Sequence, residues 1–293
     1  MISICILNWN TREHLREALR SVFANLPSGL ETEVLVEDNA SADGSAEMVR
    51  QEFPQVALQE DEANLGYAAG SNRLIARALG EFVLLMNPDV RLQQGTVEAL
   101  LRALGEHEDA AAPRLLFPEG RLQHSVRTFP TPAVLLWEAT GLARLFPRSR
   151  VFGAYRMTWW DYNDEREVEQ PMASLLLVRR RAWEQIGGFD EGFPLYFNDV
   201  DFCYRLREAG WKIVFVPQAQ AVHYLGASTR QQRLQSLRES HRSLARFYAK
   251  HYRKRYGPLV YGFAQALIWL SGWVRWVAAW ATRRMAGSGR EAA

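Results

Sequence analysis

The apolar run Phe82 to Met86 ends in Asn87-Pro88-Asp89. Such a run, bounded by turn residues, reads as a buried strand, and a proline cannot continue a central ladder. Asp89 is therefore an acid carried to a strand tip. A carboxylate there suits a hard divalent cation, which prefers oxygen ligands and bridges diphosphate oxygens. A second pair of acids, Asp199 and Asp201, stands before the helical pattern Phe202, Leu206, Ala209, in an aromatic setting of Phe193, Tyr196, Phe197 and Phe202. Acids in that place favour the helix dipole, or one of them works as a general base. His223 lies just beyond the strand pattern KIVFVP (212–217), where a histidine is either structural or a ligand.

These residues need elements to hold them. ISICIL (2–7), EVLVED (33–38), VALQE (56–60) and EFVLLMN (81–87) read as strands. Between them lie helical patterns: Leu15, Leu19, Val22 and Phe23, then Met48, Val49 and Phe53, then residues 68–79. Alternation of strand and helix makes a mostly parallel sheet covered on both faces. Ligands in such sheets bind beyond the carboxyl ends of the strands. At those ends lie Asn8-Trp9-Asn10, then Asp38 and Asn39, then Asn64-Leu65-Gly66, then Asn87-Pro88-Asp89. Asn, Asp and Gly are good turn residues, so chain reversal explains any one of these loops. It explains less well their gathering on one edge. Neither G-x-G-x-x-G nor G-x-x-x-x-G-K-[ST] follows the first strand, so a nucleotide held here needs another way to neutralise its phosphates.

Further on, the pattern predicts a helix over 96–106 and a strand over 113–123 with a Pro-Glu-Gly turn. A buried strand Ser174–Val178 runs into a helix that stops at Gly187-Gly188. Residues 129–162, rich in Pro, Trp, Tyr and Arg, carry no assignable pattern.

The 293 residues are 48% hydrophobic and 23% charged, which excludes a disordered chain. Cys5 and Cys203 lie in apolar runs, as buried thiols do, and no zinc spacing occurs. The start, MISICILNWN, has neither a basic n-region nor a small-residue cleavage site, so a cytoplasmic location is expected. Net charge is +2, unevenly placed: residues 1–225 hold 22 basic and 31 acidic residues, and 226–293 hold 13 and 2. A basic tail on an acidic body points to an anionic surface.

No nucleic-acid motif accompanies that charge, which leaves a solvated basic face or a membrane surface. The uncharged run 259–274 is 16 residues, short of the ~20 that span a bilayer. Trp269, Trp273, Trp276 and Trp280 fall on one helical stripe, and tryptophan prefers the water–lipid boundary. A helix lying in the interface is the expectation, with packing against the body or a partner subunit, and a spanning helix, as the other readings.

The segments VEDNASADGSAEMV, NLGYAAGSNR, LLMNPDV, LLLVRRRAW, GGFDEGFPLYFNDVDFCYRLREAGW and AVHYLG, in this order and at these separations, resemble the family 2 inverting glycosyltransferases of the GT-A fold. The likeness is strongest to the bacterial branch with rhamnosyltransferases of cell-wall and O-antigen assembly. It covers about residues 1 to 230. The resemblance implies that Asn8, Asn10 and Asp38, with Asn39, hold the base and ribose of a nucleotide-diphosphate sugar, and that Asn64, Gly66 and Asn72 line the same pocket. Asn87-Pro88-Asp89 stands where the family has D-x-D, so Asp89 would hold Mg²⁺ or Mn²⁺ and His223 would complete its shell. Asp199 stands at the catalytic-base position, with Asp201 on the substrate side. Asn87 in place of the first acid removes one negative charge from the cation site. Asn198 stands where the branch often has an acid, and can orient Asp199 but not donate a proton. Ala173 replaces a frequent glycine.

The sequence therefore predicts a GT-A catalytic domain over 1–228, basic and Trp-rich membrane-associating helices over 229–286 and a disordered tail over 287–293. The expected reaction moves rhamnose from dTDP-rhamnose, or another sugar from a UDP donor, to a polyprenyl-diphosphate-linked or glycan acceptor at the inner face of the cell membrane. Two other readings compete. A non-catalytic nucleotide-sugar-binding scaffold would explain Asn87 and Asn198. A nucleotidyltransferase would want a Gly- and Lys-rich phosphate loop after the first strand, which Asn8-Trp9-Asn10-Thr11 is not.

Overall fold

The computed structural model describes residues 1–27, 29–104, 109–225 and 233–288. In chain order the elements are β1 (Ile2–Asn8), α1 (Arg12–Ala24), β2 (Thr32–Asp38), α2 (Ser45–Glu52), β3 (Ala57–Glu60), α3 (Tyr67–Ala76), β4 (Phe82–Met86), β5 (Val90–Leu92), α4 (Thr96–Ala103), β6 (Ala110–Leu116), β7 (Val126–Arg127), α5 (Pro132–Thr140), α6 (Leu142–Leu145), β8 (Arg166–Glu167), β9 (Gln170–Pro171), β10 (Leu175–Arg179), α7 (Arg180–Ile186), α8 (Asn198–Glu208), β11 (Ile213–His223), α9 (Arg233–Phe247) and α10 (Pro258–Ser288). Two compact units result: residues 1–129 with 156–228, and residues 130–155 with 229–293.

The first unit is built on one sheet in the order β3-β2-β1-β4-β10-β6-β11-β5, with β8 on β11. The first four of these strands are parallel, paired as Ile4 with Val34 and with Leu84. β1, β2 and β4 are near-continuous apolar runs because helices cover both faces, whereas β3 (ALQE) is a half-exposed edge strand. Ile2, Ile4, Ile6, Val36 and Leu84 share one core with Leu15, Leu19 and Val22 of α1 and Val97 and Leu100 of α4. β10 runs antiparallel between β4 and β6, so the sheet is mixed at its centre. Cys5 and Cys203 are buried free thiols.

Two features differ from the sequence expectation, and both serve the edge. The strand over 212–217 does not stop at Pro217; β11 continues to His223. Its register on β6 shifts between Val216 and Gln220, and a bulge is where a strand tolerates a proline. His223 is therefore the last residue of a strand, not a residue beyond one. The three-residue β5 then lies antiparallel to that strand end, pairing Val90 with His223.

In the second unit, Thr131 caps α5 with its hydroxyl on the Val134 N–H, and Pro132 opens the helix. The apolar stretch PAVLLWEAT has no polar stripe, which is why its pattern is unassignable from sequence. α10 packs on α5 and α9, burying Ala264 and Ile268. Its other face leaves Leu259, Phe263, Leu270 and Trp273 exposed. A π-turn at Tyr248–Tyr252 follows α9 and buries Tyr248, whose hydroxyl donates to the Pro130 carbonyl at 2.5 Å. The start of the expected basic segment (226–232) and residues 289–293 of the expected disordered tail fall outside the described residues, as do the side chains of Leu234 and Trp280. No described helix is long and apolar enough to cross a membrane.

Candidate active site

The loops at the parallel strand tips are tied to one another by the residues expected to bind a nucleotide. Asn8 donates from Nδ2 to Asp38 Oδ2 and Ser41 Oγ, both at 3.2 Å, and accepts from Thr11 Oγ1 at 2.6 Å. Asp38 accepts the Ser41 N–H at 2.8 Å. Asn10, at φ 51°, accepts the Ala42 N–H through Oδ1 at 2.8 Å. Asn39 donates to Asn64 Oδ1 at 3.0 Å and accepts the Leu65 N–H at 2.7 Å. These side chains thus tie the strand-tip loops to one another, with Asn8, Asp38 and Asn39 buried among them. Gly66, at φ 81°, carries the chain against the Pro194 carbonyl, which accepts the Tyr67 N–H at 2.8 Å.

Two expected residues serve the frame. Asn72 clasps Phe189, donating to its carbonyl and accepting its N–H, each at 2.9 Å. Asp201, expected on the substrate side, is fully buried and pairs with Arg205 at 2.7 Å. That arginine donates to the Ile186 and Gly188 carbonyls at 2.6 Å. Asp201 therefore anchors α8 to the preceding turn, because a buried carboxylate needs a charged partner.

Asp89 and His223 meet because β5 folds back on β11. Both are buried, and Asp89 Oδ1 lies 3.4 Å from His223 Nε2. His223 Nδ1 lies 2.8 Å from Gln123 Oε1. With Gln123 Oε1 accepting from Nδ1, Nε2 turns its lone pair toward the carboxylate. Two electron-rich atoms facing at that distance call for a positive charge between them, a proton or a metal ion. The donor set fits a cation: one carboxylate and one imidazole held by an outer-shell amide. Among the described residues no cluster of three or more His, Cys, Asp or Glu side chains occurs. A cation held here would thus complete its shell with phosphate oxygens and water, as Mg²⁺ does in phosphate sites. Asn87, at the other end of the turn, donates its N–H to the Ser174 carbonyl at 2.8 Å.

Asp199 sits in the first turn of α8 and is half-buried. Burial raises its carboxyl above the ordinary range; backbone N–H groups of Val200, Ala173 and Asp199, and the Arg127 guanidinium, oppose that rise. Asn198 holds the turn by accepting the Asp199 N–H at 2.7 Å and donating to the Leu195 carbonyl at 3.1 Å. It bonds the backbone of Asp199, not its carboxylate.

Tyr67 contacts the turn that carries Asp89, a role that its place in the sequence did not reveal. Its hydroxyl donates to Asn87 Oδ1 at 3.2 Å. Burial pushes its phenol upward, and the Asp199 and Asp89 carboxylates push it further. Through Asn87 it ties the start of α3 to the turn that carries Asp89. Its signal lay in NLGYAAG, an aromatic opening a helix directly after the Asn-x-Gly turn.

This sheet and this site define a GT-A glycosyltransferase. A family model described as glycosyl transferase family 2 matches residues 3–157. The chain is 34% identical over 263 residues, 85% of its length and 84% of the relative's, to the N-acetylglucosaminyl-diphospho-decaprenol L-rhamnosyltransferase of Mycobacterium tuberculosis. It is 25% identical to the low-salt glycan biosynthesis hexosyltransferase Agl10 of Haloferax volcanii, over 76% of this chain and 66% of that one. In fold it is similar to a mannosyltransferase of Pyrobaculum calidifontis solved with GDP-Man and Mn²⁺: TM-score 0.59, 16% identity, 99% of this chain and 80% of that one. The chain belongs to glycosyl transferase family 2.

Proposed function

We propose that the protein moves rhamnose from dTDP-rhamnose to a sugar on a polyprenyl diphosphate, with inversion, in cell-envelope glycan assembly. What supports this is the buried Asp89–His223 pair at the strand tips, a carboxylate oxygen and an imidazole nitrogen 3.4 Å apart where a cation would sit, in a chain of this family. The identity to a rhamnosyltransferase named for a decaprenyl-diphosphate acceptor supports the sugar and the acceptor class.

In this reading Asp199 takes the proton of the acceptor hydroxyl. The hydroxyl oxygen bonds to the anomeric carbon as the bond from that carbon to the diphosphate breaks, so one displacement inverts the centre. An upward-shifted carboxylate is a stronger base than an exposed aspartate. The loops tied by Asn8, Asp38, Asn39 and Asn64 receive the nucleoside, and Asn10 and Asn64 form its outer wall. Tyr67 holds Asn87 at the turn and keeps water from the space between the acids. Asp89 and His223 would hold Mg²⁺ or Mn²⁺, which supplies charge stabilisation for the departing nucleoside diphosphate. The exposed apolar face of α10 lies in the lipid boundary, where such an acceptor presents its sugar.

Calorimetric titration with dTDP-rhamnose and a panel of UDP- and GDP-sugars, with Mg²⁺, with Mn²⁺ and with chelator, tests the donor side. Selective, cation-dependent binding is expected, and Asp89→Ala abolishes it. Failure of every nucleotide sugar to bind would leave a non-catalytic member of the family.

A further inference from the structure

The short ribbon of β7 and β9 carries polar groups that the donor chemistry leaves unused. Arg127 and Gln170 are directly paired across it, and directly opposed residues share a face. Arg127 is half-buried, and its guanidinium donates from Nη1 to the carbonyls of His124 and Val126, at 2.6 and 3.0 Å. Among the described residues no carboxylate lies within ion-pair distance of it. Gln170 is 4% exposed, yet its Oε1 has no hydrogen-bond partner. A buried orphan acceptor beside an arginine held without an acid is costly unless a ligand answers both.

The ribbon also leads straight to the base. The Met172 N–H donates to the Ser125 carbonyl at 2.9 Å, closing the ribbon. Arg127 is also near enough to Asp199 to draw its carboxyl downward. α8, which carries Asp199, packs against β9. A cation held by Asp89 and His223 would answer the donor diphosphate, so a second cationic group beside the base answers a second anion.

We propose that the Arg127–Gln170 face is the subsite for the acceptor's own diphosphate: Arg127 binds a phosphate oxygen, and Gln170 Oε1 accepts a hydroxyl of the sugar attached to it. This rests on the reading of Asp199 as the base for a glycosyl diphosphate acceptor. The subsite selects acceptors that carry phosphate over neutral glycosides and holds the attacking sugar at a fixed distance from Asp199.

The experiment uses the full chain saturated with dTDP and Mg²⁺. Two probes are titrated, geranyl diphospho-N-acetylglucosamine and the phosphate-free geranyl N-acetylglucosaminide. The wild type binds the diphosphate probe at least about tenfold more tightly, the size expected of a charge-assisted contact. Arg127→Met removes that preference. So does Gln170→Glu, whose new carboxylate pairs with Arg127 and repels phosphate, and this second variant answers the case in which the first fails to fold. dTDP affinity stays unchanged in both, which separates acceptor phosphate from donor phosphate as the anion bound. A wild type without preference, a preference that survives both variants, or a parallel fall in dTDP affinity overturns the proposal. Loss of nucleotide binding by the wild type would sink the transferase reading instead, and the probes titrated without nucleotide still report on Arg127.

Discussion

Asp199 is where function and stability pull apart. Its carboxyl is raised by burial, so the folded state binds its proton more tightly than the unfolded chain does. The stability it contributes is complete below the unfolded value and is lost as pH rises through the raised folded value. Ionised Asp199 therefore costs stability at neutral pH. Asp199→Asn keeps an acceptor for the Val200 N–H, which donates to it at 2.8 Å, and removes the charge. We expect the variant to lose transfer by at least about a hundredfold, as general-base removal does, while dTDP binding is retained. Its melting temperature should exceed the wild type's at pH 8, and the gap should close as the pH is taken below the ordinary carboxylate range. A variant that turned over normally would remove Asp199 from the role of base, and one with a lower melting temperature at pH 8 would contradict the sign of the shift. In the wild type, transfer should fall as pH drops through the raised value, giving the acid limb of the rate profile.

Gly66 shows how much of the pocket is made by one strand-to-helix turn. At φ 81° and ψ 170° it occupies backbone space closed to other residues, and an added Cβ would lie 3.1 Å from the Pro194 carbonyl oxygen. That carbonyl accepts the first N–H of α3 and stands just before α8, so the turn positions Tyr67 and Asp199 together. Gly66→Ala should cost about 1–3 kcal/mol, seen as a melting temperature several degrees lower, and should weaken dTDP binding. Unchanged melting and unchanged binding would mean that the Pro194 segment yields. The turn itself was readable, because Asn64-Leu65-Gly66 follows an apolar strand and precedes a helical pattern. So were β1, β2 and β4, whose runs are long, apolar and bounded by polar tips. β5 was not, because three residues carry no period. The reach of β11 to His223 was hidden by Pro217, a strand breaker everywhere except at an edge or bulge. That pairing is what sets His223 against Asp89, so their contact had no local signal. Resemblance pointed to both residues, whereas Tyr67, Gln123 and Arg127 gain their roles only from the turns and strands that surround them.

Charge and apolar surface are divided between the two units. The first carries the acidic surplus; the second carries all 13 basic residues after position 225 and an apolar face with Leu259 87% exposed, Leu270 59% and Trp273 63%. A face of that kind beside Arg253, Lys254 and Arg255, all exposed, matches an anionic lipid surface in both charge and aromatic content. Deleting α10 is a poor test of this idea. The helix buries Ala264 and Ile268 against its own unit, and Gln265 donates to the Ala245 carbonyl at 3.1 Å. A truncated chain would expose a core as well as lose an anchor. Replacing Phe263, Leu270 and Trp273 with serine changes only exposed side chains and leaves that packing intact. The triple variant should melt within a few degrees of the wild type and bind dTDP normally. It should sediment with phosphatidylglycerol vesicles at least about tenfold more weakly, because each lost contact removes apolar area from the interface. The wild type's binding should also weaken in high salt, since the basic residues contribute through a screened attraction. Sedimentation of the triple variant at the wild-type level would move the anchor elsewhere, and salt would then decide the remainder: vesicle binding that survives high salt rests on apolar contact at another surface, and binding lost in high salt rests on the basic residues alone.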